Sequence, residues 1–426
     1  MRVQTYIISF FLLYLFSYNE VRAQEQYANQ KSLIKDLIKE GFENVGIQQD
    51  KENVYLFYEN RVYRWEIDGL ARILKEAVTT FNDSTILHIV PLRYQVPVAI
   101  ITTRIKSYKE TMVHKQGNSF KDIAIKVSMN ADSLNPIRKK IKLQNSPYGK
   151  IDLIFLPGFR FQFGNFSNPF EKRVSISPII QTSLWKGMLL SAEVLIPLFN
   201  DLQQNYESKI RLETATVNQL FRLPKDLFIY SSAGIFPYIN RINSRANFQR
   251  YGVTTDIRKY FLNGRIGTGV NLGITGIMNF SEGYLNYWPF NKINFALYGE
   301  YREPKFDFTT RLTVGKFLYE DYAVRLDLSR QFHEINMGVY VIKSNMNSIV
   351  KGETGTVGGI SIAIPIAPRK SFKPAPFRIN LARLFNLEWR DRSVNPLATT
   401  YKTNNDWAET ARNLNPDFTE KQLQTP

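Results

Sequence analysis

The residues of this chain that could do chemistry are arginines and carboxylates that recur within segments of alternating polarity. The basic members are Arg160, Arg211, Arg258, Arg265, Arg302, Arg311 and Arg325. The acidic members are Glu193, Glu213, Asp256, Glu300, Asp307 and Asp327. A guanidinium group is planar and permanently charged, so it binds carboxylates or phosphates through paired hydrogen bonds. A ladder of such groups could hold or conduct an anionic chain; alternatively, the same residues form ion pairs that fill a protein interior.

Other kinds of chemistry find no support in the residue types or their spacing. The chain has no cysteine, and His88, His114 and His333 lie far apart without metal-binding spacing. Nucleophile-elbow, phosphate-loop and dinucleotide-binding motifs are absent from the sequence. No pair among its 38 Asp and Glu residues stands out for glycosidic cleavage. We therefore expect no catalytic residue, no metal site and no cofactor.

The N-terminus has the three regions of a secretory signal peptide. Arg2 precedes an apolar run from Tyr6 to Phe16, and a short segment follows that ends at Ala23. Because the run is shorter than the roughly 20 residues of a spanning helix, residues 1–23 are predicted to be removed after export from a Gram-negative cytoplasm. The formal charge of +17 favours an anionic partner, and export argues against nucleic acid.

Two patterns divide the rest of the chain. Residues 24–149 mix helical and strand periodicities, which predicts a small periplasmic α/β domain. After Ile151 the period changes to two, as in 265–277, where apolar residues alternate with small and polar ones. Segments of this kind begin near Ile151, Val174, Met188, Lys209, Leu227, Tyr251, Arg265, Ile293, Phe306, Tyr322, Ile335 and Gly358.

These segments predict a mostly β fold with a transmembrane antiparallel β-barrel of about 12 strands over residues 150–367. The alternation places the arginines and carboxylates named above on the lumen side of this barrel. No stretch after the N-terminus reaches 18 uninterrupted apolar residues, and only helices and closed barrels satisfy the backbone in hydrocarbon. The predicted location is therefore the outer membrane. Residues 368–426 are predicted to form a polar periplasmic tail with a short helix around Trp407 to Leu414, because an even number of strands returns the chain to its side of entry.

Several short segments resemble those of the YjbH/GfcD-like outer-membrane proteins of exopolysaccharide and capsule systems. In the N-terminal part these are Gly41–Val45 and Tyr58–Arg64; in the barrel part they are Leu184–Gly187, Ile196–Leu198, Arg258–Arg265, Gly315–Leu318, Arg330–Phe332, and Gly358–Gly359 leading to Ile364–Pro365. The resemblance implies a barrel partnered with periplasmic modules that acts in polysaccharide secretion or surface assembly. The chain is short enough for only one barrel, unlike the longer family members, and no catalytic residue carries over.

The leading functional hypothesis is a non-enzymatic outer-membrane component that assists secretion or surface assembly of an anionic exopolysaccharide or capsule. Its expected partners are the anionic polysaccharide, outer-membrane lipid, and periplasmic or outer-membrane polysaccharide-export proteins, with no nucleic acid. Three alternatives stay open: a general porin or small-solute channel, a structural subunit of a protein secretion machine, and a barrel-embedded enzyme that modifies glycan or lipid.

Overall fold

The computed structural model of the protein describes residues 28–114, 125–163, 169–202, 208–239, 248–281, 284–318, 321–345, 355–371, 376–390, 398, 400–401, 403 and 406–424. The predicted signal peptide, residues 1–23, lies outside the described residues. Within the described ranges, every helix is too short or too polar to cross a membrane.

The N-terminal unit is a small mixed sheet covered by helices. Its helices are α1 (28–40), α2 (Glu66–Thr80), α3 (Ile105–His114) and α4 (Asn135–Lys140). Its strands are β1 (Glu43–Asp50), β2 (Asn53–Glu59), β3 (Ile86–Arg93), β4 (Val96–Pro97), β5 (Ile100–Arg104) and β6 (Lys126–Ser128). The order is β1-β2-β3-β5-β6 with β4 beside β3, and β2 pairs with β3 in parallel. That pairing needs the crossover that α2 supplies, and α2 buries Leu70, Leu74 and Ala77 against the sheet.

The second unit is a sheet of 15 strands among the described residues. Its strands are β7 (Ile151–Phe163), β8 (Phe170–Thr182), β9 (Met188–Asn200), β10 (Arg211–Leu223), β11 (Leu227–Ile239), β12 (Phe248–Phe261), β13 (Ile266–Ser281), β14 (Tyr284–Tyr287), β15 (Lys292–Glu303), β16 (Phe308–Lys316), β17 (Tyr322–Phe332), β18 (Ile335–Ser344), β19 (Thr356–Pro365), β20 (Phe377–Leu381) and β21 (Leu384–Arg390).

The large sheet is an antiparallel meander whose two ends are joined by a short linker. Neighbours in sequence pair from β7 to β13 and from β15 to β19, β15 pairs with β13, and β14 extends β13 as a short hairpin. At one end β20 pairs with β7 in parallel, and at the other β21 pairs with β19. Only Ala382 and Arg383 separate β20 from β21. These two strands lie in the region predicted as a polar tail from residue 368, so the sheet extends further along the chain than expected.

The two faces of the large sheet have opposite polarity, and the apolar face is the exposed one. On β15, Ile293 and Leu297 are 57% and 58% exposed, whereas Asn294 and Tyr298 are 3% and 5% exposed. The same alternation places Val324 and Leu326 outward on β17. In a protein surrounded by water the apolar face would be the covered one. We call the covered, polar face the inner face and the apolar one the outer face.

The C-terminal segment, meaning the described residues from Ala398 to Gln424, runs along the inner face. The Ala398 N–H donates to Asp321 Oδ2 (2.9 Å) in the turn between β16 and β17. Further on, the Tyr401 ring contacts Phe236, with ring centroids 4.5 Å apart, and the Trp407 ring contacts Phe228, with centroids 4.7 Å apart. These two phenylalanines are eight positions apart on β11, which is about 27 Å along a strand. The segment therefore spans most of the height of the sheet.

Two short helices complete the C-terminal segment where it meets the N-terminal unit: α5 (Trp407–Asn413) and α6 (Pro416–Gln424). Residues of all three parts share one core cluster, including Tyr94 and Val98 of the N-terminal unit, Leu220 of β10, and Trp407 and Leu414. The N-terminal unit thus packs on one end of the large sheet, which we call the near end. The opposite end, with the turn at Asp321, is the far end.

Candidate functional site

The centre of the inner face carries a charged group of five residues, Asp256, Arg258, Tyr298, Glu300 and Arg311, which we call the inner cluster. Arg258 Nε donates to the Tyr298 hydroxyl (2.8 Å), which donates to Asp256 Oδ1 (2.7 Å). Arg311 lies 3.9 Å from the centroid of the Tyr298 ring and 3.9 Å from Glu300 Oε2. Four of the predicted site residues therefore meet around one tyrosine that the sequence analysis did not single out.

The remaining predicted residues on the strands are distributed along the inner face in local pairs. Arg325 Nη2 lies 2.6 Å from Asp327 Oδ1, and Arg211 Nε lies 3.0 Å from Glu213 Oε2. Glu193 is buried on β9, and Arg160 is half-buried on β7. The basic ladder that the alternation predicted exists, but much of its charge is balanced by neighbouring carboxylates.

Three predicted residues instead bind the C-terminal segment at the near end. Arg265 precedes β13 in a turn and pairs with Asp417 (Nε to Oδ2, 2.7 Å), with its own side chain 51% exposed. Asp307 lies in the turn between β15 and β16 and accepts from Lys421 Nζ (2.5 Å). Arg302 Nη1 donates to the Arg412 carbonyl (3.1 Å). Arg265 and Asp307 were predicted on the inner face because their segments were extended by one or two residues; the positive φ of Asp307 (53°) marks the turn.

A cavity of about 800 Å³ lies between the inner face, the C-terminal segment and the N-terminal unit. Its lining includes Arg258 and Arg311 of the inner cluster, Arg93 of the N-terminal unit, and Tyr401 and Asp406 of the C-terminal segment. The arginines in the lining outnumber the carboxylates by seven to five. The lining is therefore of mixed charge, with a small excess of arginines.

At the near end a second charged group borders the cavity through Arg93, Arg383 and Asp406; together with Glu66 and Tyr94 these residues form what we call the mouth cluster. The Asp406 carboxylate pairs with Arg93, accepts from the Tyr94 hydroxyl (3.0 Å) and lies 3.7 Å from Arg383. Arg383 also pairs with Glu66 (3.2 Å). Against the opposing effect of burial, Arg93 and Arg383 lower the pKa of Asp406 to about 2. The mouth cluster therefore ties the C-terminal segment to the N-terminal unit and to the β20–β21 linker.

The pKa of Glu409, one helical turn from Asp406, is shifted in the opposite direction. Burial raises the pKa of Glu409 to about 7, although Arg383 lowers it in part. At neutral pH an ionised carboxylate and a carboxyl close to its midpoint of titration therefore lie three residues apart in the same segment.

The N-terminal unit is also fixed to the large sheet by buried ion pairs. Arg378 of β20 is 2% exposed and binds Glu43 as well as Asp152, with 2.6 Å between Nε and Oδ1 of the latter. Arg64 forms a bidentate ion pair with Glu334 in the turn between β17 and β18: Nε donates to Oε2 (2.5 Å) and Nη2 donates to Oε1 (2.6 Å). The two parallel hydrogen bonds of a bidentate pair fix the relative orientation of the guanidinium and the carboxylate. These pairs therefore fix the orientation of the N-terminal unit on the sheet and also hold it there.

One signal in the sequence could have identified part of this interface. The segment Tyr58–Arg64, which carries the family resemblance, supplies Arg64 and also Glu59, whose Oε1 accepts the Tyr94 N–H at 3.0 Å. Arg61 of the same segment lies 3.5 Å from Glu59 and 3.9 Å from Asp152. The motif therefore docks the N-terminal unit on the sheet. Asp406 and Glu409 had no comparable signal: Arg93 lies 313 positions from Asp406, and Arg383 belongs to the region predicted as a polar tail.

These features define a class of protein: a large antiparallel sheet with a polar inner face and an exposed apolar outer face, joined to a small α/β unit. The family model described as "Exopolysaccharide biosynthesis protein YbjH" (YjbH) matches residues 16–219 and 282–376. Because this match covers more than half of the chain, the protein belongs to the YjbH family, and the predicted resemblance is confirmed. Membership links the chain to exopolysaccharide production.

Comparison with individual proteins adds little to the family assignment. No curated protein matches the chain. Among solved structures, the outer membrane channel DcaP of Acinetobacter baumannii aligns with 57% of this chain and 97% of its own, at 8% identity and a TM-score of 0.30. A likeness this low carries no argument about function.

Proposed function

We propose that this protein is an outer-membrane β-barrel component that assists secretion or surface assembly of an anionic exopolysaccharide. The observation that carries the membrane part is the inverted polarity of the large sheet, whose apolar face is exposed while charged and polar side chains are covered. Membrane-spanning barrels have this arrangement. The strands β7 to β13 contain 13 to 16 residues each, and the roughly 9 to 11 residues that a tilted strand needs to cross a bilayer fit within them.

In this proposal strands β20 and β21, residues 377–390, close the sheet into a barrel, and the N-terminal unit lies on the periplasmic side. The polymer part rests on family membership and on the arginine excess of the cavity lining. The carboxylate or phosphate groups of a polymer would replace the protein carboxylates as partners of the inner arginines. The chain itself would guide or hold the polymer and carry out no covalent step on it.

The C-terminal segment argues against a permanently open pore. Its residues contact the inner face from Ala398 near the far end to Asp406 at the mouth cluster. Polymer passage through the lumen would require this segment to move. In planar bilayers we expect the intact protein to show low, rarely opening conductance. A persistent, salt-dependent open current would instead support the small-solute channel alternative.

Location and polymer role are tested separately. The protein should sediment with outer membranes, need detergent for extraction, and migrate differently in gels with and without heating, as stable barrels do. A chain that stays in the soluble periplasmic fraction without detergent contradicts the barrel proposal. For the polymer role, surface exopolysaccharide is measured in a deletion strain that carries the variants below.

The polymer test uses two pairs of substitutions that remove the same amount of charge. The first pair is Arg311→Gln and Arg325→Gln, whose side chains are 33% and 22% exposed on the inner face. The control pair is Lys225→Gln and Lys305→Gln, both in exposed turns at the near end. We expect surface polymer to fall several-fold with the first pair and to be unchanged with the second. Equal levels of surface polymer in both strains would show that Arg311 and Arg325 do not contribute to polymer secretion or surface assembly.

A further inference from the structure

A second, smaller cavity of about 240 Å³ lies at the near end, where the N-terminal unit meets β10 and the turn between β8 and β9. The N-terminal unit contributes Arg138 of α4 to its lining, the turn contributes Lys186, and the end of β10 contributes Gln219–Leu223. It shares no lining residue with the 800 Å³ cavity on the inner face. The two cavities are therefore separate sites.

Two cations in the lining of the small cavity have no carboxylate partner among the described residues. Burial lowers the pKa of Arg138, against an opposing effect of Tyr148, and burial followed by the nearby Arg138 lowers the pKa of Lys186; no carboxylate contributes to either shift. Within the described part of the chain, the buried Nε of Arg138 has no hydrogen-bond acceptor. A buried charged donor without a partner is costly, so an anion beside these two side chains would stabilise both.

The other charged groups of this lining are already engaged within the protein. Arg222 Nη2 lies 2.8 Å from Asp226 Oδ1, and its Nη1 donates to two backbone carbonyls of the N-terminal unit (3.0 Å each). Asp132 Oδ2 accepts the backbone N–H of Lys225 (2.9 Å). The first two cations are therefore the groups that an incoming anion would meet.

The turn that carries Lys186 is fixed in place by hydrogen bonds on both sides. Trp185 Nε1 donates to Gln219 Oε1 (2.8 Å), and Gln219 Nε2 donates to the Lys186 carbonyl (3.0 Å). The Gly187 N–H donates to the Tyr94 carbonyl of the N-terminal unit (2.7 Å). Because the backbone of the turn is ordered before any ligand arrives, binding would cost less conformational entropy there.

The small cavity also borders the apolar outer face. Phe221 and Leu223 are 49% and 42% exposed and belong to its lining, and Trp185, next to Lys186, is 52% exposed. In the proposed barrel this end faces the periplasm, so these side chains lie where hydrocarbon gives way to lipid head groups, a level at which tryptophan is enriched. A ligand that suits both the cations and the apolar side chains has an anionic head group and acyl chains.

We propose that the small cavity binds the head group of an anionic phospholipid from the periplasmic leaflet of the outer membrane. The phosphate lies between Arg138 and Lys186, since guanidinium and ammonium donors match phosphate oxygens, and the acyl chains lie along the outer face beside Phe221. A volume below the roughly 300 to 1,000 Å³ of sites that enclose a whole small molecule fits a head group whose chains stay outside. The inference rests on the membrane location in the proposed function and does not use the polymer role.

The test uses photo-crosslinking at two aromatic positions of the outer face near the same end. Benzoylphenylalanine replaces Phe221 at the cavity or Phe261 at the end of β12, which are 49% and 41% exposed. Phe261 is a strict control, because Lys259 Nζ lies 4.9 Å from its ring centroid and any general attraction of anionic lipid to surface lysines would appear there too.

The purified, delipidated protein in detergent receives phosphatidylglycerol or phosphatidylcholine at equal concentration. We expect the probe at 221 to capture phosphatidylglycerol about tenfold more than phosphatidylcholine, because two basic side chains favour the anionic lipid, and the probe at 261 to capture both alike. Capture without head-group preference at 221, or with equal preference at both positions, would overturn the proposal.

Two pairs of substitutions that remove the same charge test the head-group contact. Arg138→Gln with Lys186→Gln should reduce phosphatidylglycerol capture at 221 to the level of phosphatidylcholine. The control pair, Lys140→Gln with Lys225→Gln, is exposed in α4 and in a turn at the near end but outside the lining, and it should keep the preference. If the first pair fails to fold, as judged by heat-dependent gel migration, the comparison of positions 221 and 261 in the otherwise native chain still decides.

Competition with glycerol 3-phosphate distinguishes a lipid from a phosphate in solution. At the concentration of the lipid it should leave the capture at 221 unchanged; loss of capture would mean that the site takes soluble phosphate and would overturn the phospholipid assignment. The proposed function fails separately. A protein that sediments with outer membranes but shows no head-group preference contradicts this inference alone, whereas a protein that stays soluble without detergent contradicts the barrel and this inference with it.

Discussion

Neutralising Asp406 should release the C-terminal segment from the mouth cluster. The contact joins three parts of the chain, since the carboxylate binds Arg93 and Tyr94 of the N-terminal unit and lies near Arg383 of the β20–β21 linker. Asp406→Asn keeps the shape of the side chain and removes its charge. The variant therefore isolates the electrostatic part of the docking.

The size of the effect follows from the pKa and from the burial of the partner. Lowering the pKa of Asp406 from 3.8 to about 2 corresponds to about 2 kcal/mol in favour of the docked, ionised form. Because the pKa is lower in the docked state, this contribution is present at neutral pH and is lost as the pH falls from about 4 to 2. The substitution also leaves the Arg93 side chain, which is 3% exposed, without its main partner. Breaking a buried pair on one side costs about 3–5 kcal/mol.

Tryptic cleavage after Arg412 measures this release, because that bond lies inside α5 and is accessible after the segment has left the inner face. When opening is faster than cleavage, the cleavage rate follows the population of the open form. A loss of 3 kcal/mol raises that rate by roughly 150-fold. Glu409→Gln is a comparison of opposite sign in the same segment: because burial raises the pKa of Glu409 to about 7, removing its titratable carboxyl should slow cleavage at pH 7 rather than speed it. A cleavage rate for Asp406→Asn within threefold of the native chain would refute this account of the mouth cluster.

Three further predictions concern pH, backbone space and docking of the N-terminal unit. Because burial raises the pKa of Glu409 from 4.5 to about 7, docking of the segment should weaken by up to about 3 kcal/mol between pH 4.5 and 7, and Glu409→Gln should flatten the pH profile of tryptic cleavage. Gly187→Val should block assembly, because the residue has φ +80° and a Cβ would lie 2.2 Å from the Leu220 carbonyl oxygen. The measurement is the loss of heat-dependent gel migration. Gly299→Val should be tolerated, because the space around Gly299 is open. Arg64→Glu should lower the thermal unfolding temperature by several degrees, and adding Glu334→Arg should recover at least half of the loss, since the two side chains form a paired contact; no recovery would show that the contact is incidental.

The large sheet was predictable to a useful level because its signal is repeated. Each of the twelve segment starts inferred from alternating polarity lies within four residues of the start of a strand. The pattern survives in single sequences because one face must be apolar and the other polar along every strand. Strand ends were less accurate, as Arg265 and Asp307 illustrate, since turns and strands share their residue types at the boundary.

The last two strands and the mouth cluster were not predictable in the same way. β20 and β21 contain five and seven residues, so each shows too few alternations to stand out from a polar tail. The N–H and C=O groups of β20 are satisfied by β7, which lies more than 200 residues earlier in the chain. Asp406 meets Arg93 across 313 positions. Such pairings depend on the complete fold, and local periodicity contains no information about them.

The route of the C-terminal segment restricts the order in which this protein can assemble. β20 and β21 run from the near end toward the far end, and the described residues from Ala398 at the far end to α5 at the near end lie along the inner face. In the proposed barrel, docking of the C-terminal segment after closure would require helix α5 to travel through the interior to the near end. A less demanding order is that β21 and the descending segment first form a hairpin and the meander from β7 to β19 then wraps around it. In that order the large sheet and the C-terminal segment assemble together, and the contact between β7 and the β20–β21 linker forms last.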